Sequence, residues 1–347
     1  MRRDPVRVSR SILDPVAIAD FTMVLYRMPR GTTARLVSSG LNDVYRIDSE
    51  GFSRYLRVSP SPWRTRPEIE AELQWIRDCA AAGLPVVRVL QSRDGGLVEH
   101  LTAPEGRRAV VLFAPVQGAE VIHLTTERAA AVGMLMAKLH QVADQSPVQY
   151  DRFLLDANHL VTNPANMILE QAEMDPADRA RFRQIATMVR KRIEETPRES
   201  AAFGMCHGDL HPGNVRFGTP PLPWVFDFDC CGYGWRAYDL AVFLWNIYGE
   251  NRPRRYRESR WNAFLKGYRS VRKLDAAERQ AIPWFMLARH IWLAGHDYSG
   301  ASNWPPQWLT PASFSRFVRE LETWIADFKL DPGDDQLPPE WSVPLPD

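Results

Sequence analysis

An amide and three carboxylates stand close together in the middle of the chain. Asp209 and Asn214 lie in Cys206-His207-Gly208-Asp209-Leu210-His211-Pro212-Gly213-Asn214, and Asp227 and Asp229 follow in Val225-Phe226-Asp227-Phe228-Asp229. These residue types suit one job. Asp209 can take a proton from a hydroxyl, while Asn214 and Asp227 can offer oxygen ligands to Mg²⁺, a hard cation held by few protein ligands together with phosphate oxygens. The chemistry implied is phosphoryl transfer, in which positioning and charge stabilisation supply nearly all of the catalysis.

Such a set needs elements to hold it. Residues 34–60 read as antiparallel strands at Arg35-Leu36-Val37, Val44-Tyr45-Arg46-Ile47 and Arg54-Tyr55-Leu56-Arg57-Val58, with Asp48-Ser49-Glu50-Gly51 as a turn. A helix is expected from Arg66, with Pro67 and Glu68 in its first turn, Ile69, Leu73 and Ile76 on one side, and Gly83-Leu84-Pro85 as its stop. Two more strands are expected around 86–90 and 108–113, with a turn at Asp94-Gly95-Gly96. The first 115 residues thus form a small sheet carrying one helix. After Ala114-Pro115-Val116-Gln117-Gly118 the period changes. Thr125-Thr126-Glu127 opens a helix with Val132, Leu135, Met136 and Leu139 at three- and four-residue spacing. Another helix follows Pro176, with Phe182, Ile185, Val189 and Ile193 on one face and Pro197 closing it. Residues 144–175 read as irregular, short strands are expected at 215–217 and 224–228, and the chain beyond Asp239 reads as helices broken by prolines. The boundaries read from this are a helical extension over 1–33, an N-lobe over 34–116, a C-lobe over 117–330 and a Pro-rich tail over 331–347.

His207-Gly208-Asp209 with Asn214 resembles the catalytic loop of aminoglycoside phosphotransferases and their relatives, choline kinase and bacterial homoserine-kinase-like proteins, which share the protein-kinase fold. Protein kinases write that loop HxDxxxxN, and the spacing here fits position by position. The resemblance implies that Asp209 is the catalytic base and that His207 orients the loop by hydrogen bonding. It places Asp227 at the metal-binding Asp of the DFG-like segment and Asp229 at the Gly, a replacement common among the family's small-molecule kinases that makes Asp229 a second candidate metal ligand. Tyr238-Asp239-Leu240-Ala241 matches the following helix, whose Asp braces the loop's backbone. In the first lobe, Ser39-Gly40-Leu41-Asn42-Asp43 falls where the family covers the ATP phosphates, so Gly40 and Asn42 are nucleotide candidates. Arg57 stands where a strand normally supplies a phosphate-pairing Lys, and Glu72, with Glu70 as second choice, is similar to the ion-pair Glu of the next helix. Phe113-Ala114-Pro115-Val116 would be the hinge that reads the adenine edge, which brings in Phe113 and Val116.

The whole pattern looks closest to the branch with bacterial stress-response kinase A and type II homoserine kinases, over roughly residues 34–300. The fold class implied is α+β: a protein-kinase-like two-lobed fold, with an antiparallel sheet and one main helix in the N-lobe and a mainly helical C-lobe. The activity implied is an ATP- and Mg²⁺-dependent transfer of phosphate to a hydroxyl of a small molecule such as an amino-alcohol, aminoglycoside or homoserine-like acceptor. A small molecule is favoured over protein Ser or Thr because no APE segment follows Asp229 to anchor an activation loop. A Ser/Thr protein kinase of the stress-response type stays open beside it. So does a nucleotide-binding pseudokinase, because Arg57 is not interchangeable with Lys.

Composition excludes other classes. Hydrophobic residues make up 45% and charged residues 24% of 347, the mix of a globular chain rather than a disordered one. Lys plus Arg (43) against Asp plus Glu (42) leaves no global field to draw nucleic acid or an anionic membrane. The basic start Met1-Arg2-Arg3-Asp4-Pro5 leads into no apolar run, so a cytoplasmic protein with neither nucleic acid nor membrane as partner is expected. Cys79, Cys206, Cys230 and Cys231 show no CxxC spacing, which argues against a zinc site or a disulfide framework. Two hydrolase likenesses fail in their second halves. Gly208-Asp209-Leu210-His211 resembles the GDxH of metallophosphatases, but no GNH[DE] segment follows, and Asp227-Phe228-Asp229 resembles the DxD of haloacid-dehalogenase-type phosphatases, but Cys231 stands where Thr or Val belongs. His211 reads as loop-structural, and core packing accounts for most of the twelve tryptophans. Arg289, His290, His296 and Trp304 lie where the family's C-terminal helices wall the acceptor site.

Overall fold

The computed structural model describes residues 8, 10–60, 63–198, 202–218, 222–249, 252–299 and 310–330. Trp304, the tail over 331–347 and the first seven residues lie outside them. A helix α1 (Pro15–Tyr26), capped by the Asp14 side chain, precedes three antiparallel strands, β1 (Thr33–Ser39), β2 (Asp43–Ser49) and β3 (Phe52–Val58). After α2 (Arg66–Ala81) come β4 (Val89–Leu90), β5 (Glu99–Ala103) and β6 (Gly106–Phe113). The strand order is β1-β2-β3-β6-β4, with β5 paired to β6.

Side chains on a strand alternate between faces, and that alternation decides where Arg57 goes. Leu56 and Val58 join Tyr45, Ile47, Val110 and Leu112 in a small core closed by Ile18 of α1. Arg57, between them, points to the opposite face, where α2 packs Ile69, Leu73 and Ile76. α2 forms where expected because Thr65 and Glu68 make a reciprocal capping box and Pro sits in the first turn, and Gly83, at φ 79, stops it.

The helical lobe contains β7 (Ala119–Glu120), α3 (Thr126–Gln145), α4 (Asn163–Gln171), α5 (Pro176–Glu195), β8 (Phe203–Cys206), β9 (Val215–Phe217), β10 (Pro223–Val225), β11 (Gly232–Trp235), α6 (Arg236–Gly249), α7 (Arg254–Arg269), α8 (Ala276–Ser299) and α9 (Pro311–Asp327). α3 lies along α7, and α6 along α8. Val132, Leu135, Met136 and Leu139 are buried on α3, as are Phe182, Ile185, Val189 and Ile193 on α5. The antiparallel sheet beside a mainly helical lobe is the α+β arrangement that the sequence pattern implies. No helix among the described residues is long and apolar enough to cross a membrane.

Four expectations need correction. The stretch 144–175 is not irregular throughout: a π-helical turn at Asn158–Thr162 runs into α4, whose Pro164 occupies the first turn, where a missing N–H costs nothing. Pro283 does not break α8 but sits inside it, where Ile282, Trp284 and Phe285 are buried and packing holds the turn together. The strand expected over 86–90 shortens to β4, and β5 appears in a half-exposed polar segment whose alternation is weak. β10 ends at Val225, so Asp227 lies beyond the strand rather than at its end.

Candidate active site

The loop carrying Asp209 is tied down at both ends. β8 leads into it and pairs with β11, with Cys206 opposite Gly232. Asp239 on α6 accepts the backbone N–H groups of His207 at 2.9 Å and Gly208 at 2.7 Å. His140 Nε2 sits 2.8 Å from the same carboxylate, and its Nδ1 is 2.8 Å from the Tyr268 hydroxyl. Burial disfavours the charge on Asp239, yet the hydrogen bonds from His140 and the Gly208 amide hold its carboxyl below the ordinary range. The bracing role read from Tyr238-Asp239 corresponds to this pair of hydrogen bonds. His207 Nδ1 accepts the Asp209 N–H at 3.2 Å, and His211 caps the short 3₁₀ turn at Pro212–Asn214 by accepting the Gly213 N–H. Both histidines shape the loop.

Gly208 has no substitute there. Its φ is 79, and a Cβ built on it would lie 2.1 Å from the carbonyl oxygen of Cys230. Gly208→Ala is expected to cost about 3 kcal/mol or more of unfolding free energy, from the left-handed backbone and the overlap together, measurable by urea denaturation.

The β9–β10 hairpin brings the next two groups together. Val215 faces Val225, and the Phe226 N–H donates to the Asn214 carbonyl at 3.1 Å, so Asn214 and Asp227 flank one end of the same hairpin. Asn214 Nδ2 donates to the Asp209 carbonyl at 2.8 Å and to Asp209 Oδ2 at 3.2 Å, which leaves the amide oxygen as an available ligand. Asp227 adopts φ 65, a left-handed conformation that Asp tolerates better than most residues. Its side chain keeps an exposed surface while the protein packed around it displaces much of its bulk hydration. That loss of hydration, with repulsion from Asp209 and Asp229, pushes its carboxyl up to about 7. Crowded oxygen donors of this kind fit a hard divalent cation, which would relieve the repulsion.

The direction of the pH dependence follows. Asp227 is protonated up to about 7 in the folded chain and only up to about 3.9 when unfolded. Its contribution to stability is therefore complete below about 4 and is lost as pH rises through about 7. A divalent ion held by Asp227 would have to displace that proton, so affinity for Mg²⁺ is expected to climb over the same window. Calorimetric titrations at pH 5.5 and 8 check this, and equal affinities at the two would remove Asp227 from the ligand set.

On the sheet side, Arg57 makes a two-pronged ion pair with Glu72, Nη1 to Oε1 at 2.7 Å and Nη2 to Oε2 at 2.8 Å, with both side chains buried. The Arg57 guanidinium also stacks 5.3 Å from the Phe113 ring centroid. Glu70, the second choice, instead faces outward and pairs with Arg66. Removing one partner of a buried pair strands the other charge. Arg57→Met is expected to cost about 3 kcal/mol, read as a shift of the denaturation midpoint.

Asp229, the second candidate metal ligand, is buried among donors from both parts of the chain. Its Oδ2 accepts from Asn42 Nδ2 at 3.1 Å and Trp63 Nε1 at 2.7 Å, while Oδ1 lies 3.9 Å from Arg57 Nη1 and 3.7 Å from Arg64 Nε. Burial opposes its charge, but Arg57, Arg64 and the Trp63 hydrogen bond hold its carboxyl below the usual range. Asn42 is thereby turned inward, and its contact with Asp229 clasps the two parts of the chain together. Gly40 sits at the hairpin turn, hydrogen-bonded to the Asn42 carbonyl at 3.1 Å and beside open space. Phe113 ends β6, the Ala114 N–H is spent on the Arg88 carbonyl at 2.9 Å, and Val116 follows half-buried.

Sequence reasoning missed Arg64, Arg152 and His159. Arg152 ties the Asp229 segment to α2, donating to the carbonyls of Cys231 at 2.7 Å, Glu68 at 2.9 Å and Asp229 at 2.5 Å. No motif marks it. On the other side of Asp209, Arg289 Nη2 donates to Oδ1, and the guanidinium packs between Trp245 and Trp292, 5.5 and 4.8 Å from their ring centroids. His290 turns away to Glu320 on α9 at 3.2 Å. His296 lies between Trp63 and Trp292, and His159 stacks on Phe153.

Residues 33–274 match the pattern of the phosphotransferase enzyme family, well over half of the chain. The chain belongs to that family. It is a kinase, a phosphotransferase whose acceptor is an alcohol group. This phosphotransferase is 33% identical to an uncharacterized protein of Deinococcus radiodurans over 90% of its own length and 91% of that protein's. Among solved structures, an amicoumacin kinase in complex with AMP-PNP, Ca²⁺ and its ligand superposes with a TM-score of 0.76 at 24% identity, over 90% of the phosphotransferase and 94% of that chain. A microcompartment-associated aminopropanol kinase gives 0.74 at 25% identity, over 90% and 95%. The protein-kinase-like fold of the phosphotransferase rests on these likenesses together with its own two-part architecture. Its site assembles a carboxylate, an amide oxygen and a second carboxylate on one loop and one hairpin, with the Arg57–Glu72 pair beside them.

Proposed function

We propose that the phosphotransferase moves the γ-phosphoryl group of ATP onto a hydroxyl of a small molecule in the cytoplasm, with the nucleotide between an N-lobe over 34–116 and a C-lobe over 117–330. The observation that carries this is the linkage of Asp209, Asn214 and Asp227. The Asn214 side-chain N–H group is spent on Asp209, and the Asn214 backbone carbonyl accepts the Phe226 N–H and so holds the backbone that presents Asp227. Asp209 would align the acceptor hydroxyl and take its proton as the oxygen attacks the γ-phosphorus and the bond to the departing ADP breaks. Asn214 and Asp227 would hold Mg²⁺, which when bound neutralises charge on the phosphate oxygens. Arg57, kept in place by Glu72, would face the phosphates as a fixed positive charge, and Phe113 and Val116 would border the adenine. The AMP-PNP and Ca²⁺ in the amicoumacin kinase structure support a nucleotide with a divalent ion, and the two solved kinases both act on small molecules.

The Arg57–Glu72 pair weighs against a pseudokinase, since Arg here makes the contact expected of the usual Lys. The test is MgATP binding and ADP release, followed by a screen of amino-alcohols, aminoglycosides, homoserine and a casein-like protein. Metal-dependent binding with turnover of a small hydroxyl compound supports the proposal. Turnover of the protein substrate alone would move it to the protein-kinase reading, binding without turnover would make it a pseudokinase, and no nucleotide binding would sink it.

A further inference from the structure

The segment before α1 is fastened to the sheet. The Ser11 hydroxyl donates to Glu105 Oε2 at 2.8 Å and the Ser11 carbonyl accepts from Arg108 Nη1 at 2.9 Å, while the Leu13 carbonyl accepts the Tyr45 hydroxyl at 2.8 Å. Arg10 makes a different kind of contact. Its Nη1 donates to the Gly40 carbonyl at 2.9 Å, and its Nη2 donates to Asp43 Oδ1 at 2.6 Å and to the Ser39 hydroxyl at 3.3 Å. One guanidinium thus spans the β1–β2 turn, from Ser39 and Gly40 on one side to Asp43 on the other.

Asp43 does not need Arg10 to stay paired. It is fully buried, yet Arg108 Nη2 donates to its Oδ2 at 2.6 Å and the Ser39 hydroxyl to its Oδ1 at 2.7 Å, so its charge keeps a partner when Arg10 is removed. The turn has less to hold it. The β1–β2 ladder shifts register between Leu36 and Ser38, and Gly40 stands beside open space. A hydrogen bond from a charged donor is about twice as strong as one between neutral groups, so Arg10 grips the Gly40 carbonyl firmly where the ladder is weak. From the same turn, Asn42 Nδ2 reaches Asp229 Oδ2 at 3.1 Å, 187 residues away, while its buried Oδ1 has no partner. One hydrogen bond beside an unsatisfied acceptor gains little by itself. It forms here because the turn is already delivered to the right place.

We propose that Arg10 is a positioning residue for the nucleotide site: it sets the β1–β2 turn so that Asn42 meets Asp229, and thereby fixes how the sheet closes on the helical lobe. The proposal rests on the phosphotransfer reading for what the closed turn covers. The hold of Arg10 on the turn is open to a separate measurement without nucleotide. When that hold is removed, part of the binding energy of MgATP goes into setting the turn, and apparent affinity falls by the fraction of chains in which the turn is already in place. The base and the metal ligands stay where they are.

The test uses the full chain. Without nucleotide, hydrogen exchange over residues 39–43 should speed up about tenfold in Arg10→Met. It should stay unchanged there in Tyr45→Phe, which cuts the Leu13 contact of the same segment. Calorimetry should find MgAMP-PNP bound about tenfold more weakly by Arg10→Met. Arg10→Lys, which keeps the charge, should bind within about threefold of the natural chain, and Tyr45→Phe should bind as the natural chain does. Because Arg10 acts through Asn42, Asn42→Ala should weaken binding by a similar factor, and the double variant should lose no more than the larger single loss. Where ADP release is measurable, the change should fall on KM for ATP rather than on kcat. Unchanged MgAMP-PNP affinity in Arg10→Met, with or without a lower urea midpoint, overturns the proposal and leaves Arg10 a tie within the sheet alone. Losses that multiply in the double variant also overturn it, and so does exchange over 39–43 that ignores Arg10→Met. A natural chain that binds no nucleotide while Arg10→Met still frees residues 39–43 keeps the hold on the turn and instead defeats the phosphotransfer reading.

Discussion

Asp209→Asn is expected to turn over about a thousandfold or more slowly than the natural chain while binding MgATP with similar affinity. The loss has two parts. General-base assistance is worth about 10²–10⁴ in rate, and an amide cannot take the proton of the acceptor hydroxyl. The substitution also sets an N–H group where Arg289 Nη2 or Asn214 Nδ2 now donates, so one of those hydrogen bonds becomes a donor–donor contact. Nucleotide affinity should survive because the backbone of the loop is held by Asp239 and His140, not by the Asp209 side chain. ADP release at saturating acceptor, with calorimetry for MgATP, reads both quantities. A rate within tenfold of the natural chain would remove Asp209 from the role of base.

Asp227→Asn should separate metal binding from folding. Asn adopts the left-handed backbone found at φ 65 as readily as Asp, so the substitution changes charge and little else. Metal-dependent nucleotide affinity should fall by about a hundredfold or more, since a carboxylate among hard-cation ligands carries most of the attraction. Stability without metal should move the other way. Removing a charge that Asp209 and Asp229 repel relieves the folded chain above about pH 7, and the decline in stability between about pH 4 and 7 should disappear. Thermal denaturation across that range, beside MgATP titrations, checks the pair of outcomes. Unchanged affinity with unchanged pH dependence would place the metal elsewhere.

What was legible from the residues alone was local in the chain. The spacing of Asp209, Asn214 and Asp227 is set by one loop and one hairpin, so a linear pattern records it directly. The capped helix from Arg66 to Ala81 and the strand that turns Arg57 toward Glu72 were equally open, because capping chemistry and side-chain alternation act over a few residues. The π-helical turn before α4 and the proline inside α8 were hidden, since packing holds them against their local propensity.

The roles of Asp229 and Arg289 belong to tertiary structure. A DFD-like segment does not say which groups its last carboxylate meets, and only the folding together of Asn42, Trp63, Arg57 and Arg64 surrounds Asp229 with donors. Arg289 reaches Asp209 from 80 residues away, through a slot between two tryptophans that no periodicity announces. Short-range geometry lets the sequence name the chemistry of this site. Which charges neutralise one another is settled by long-range contacts, and those form only when the helices and the sheet pack together.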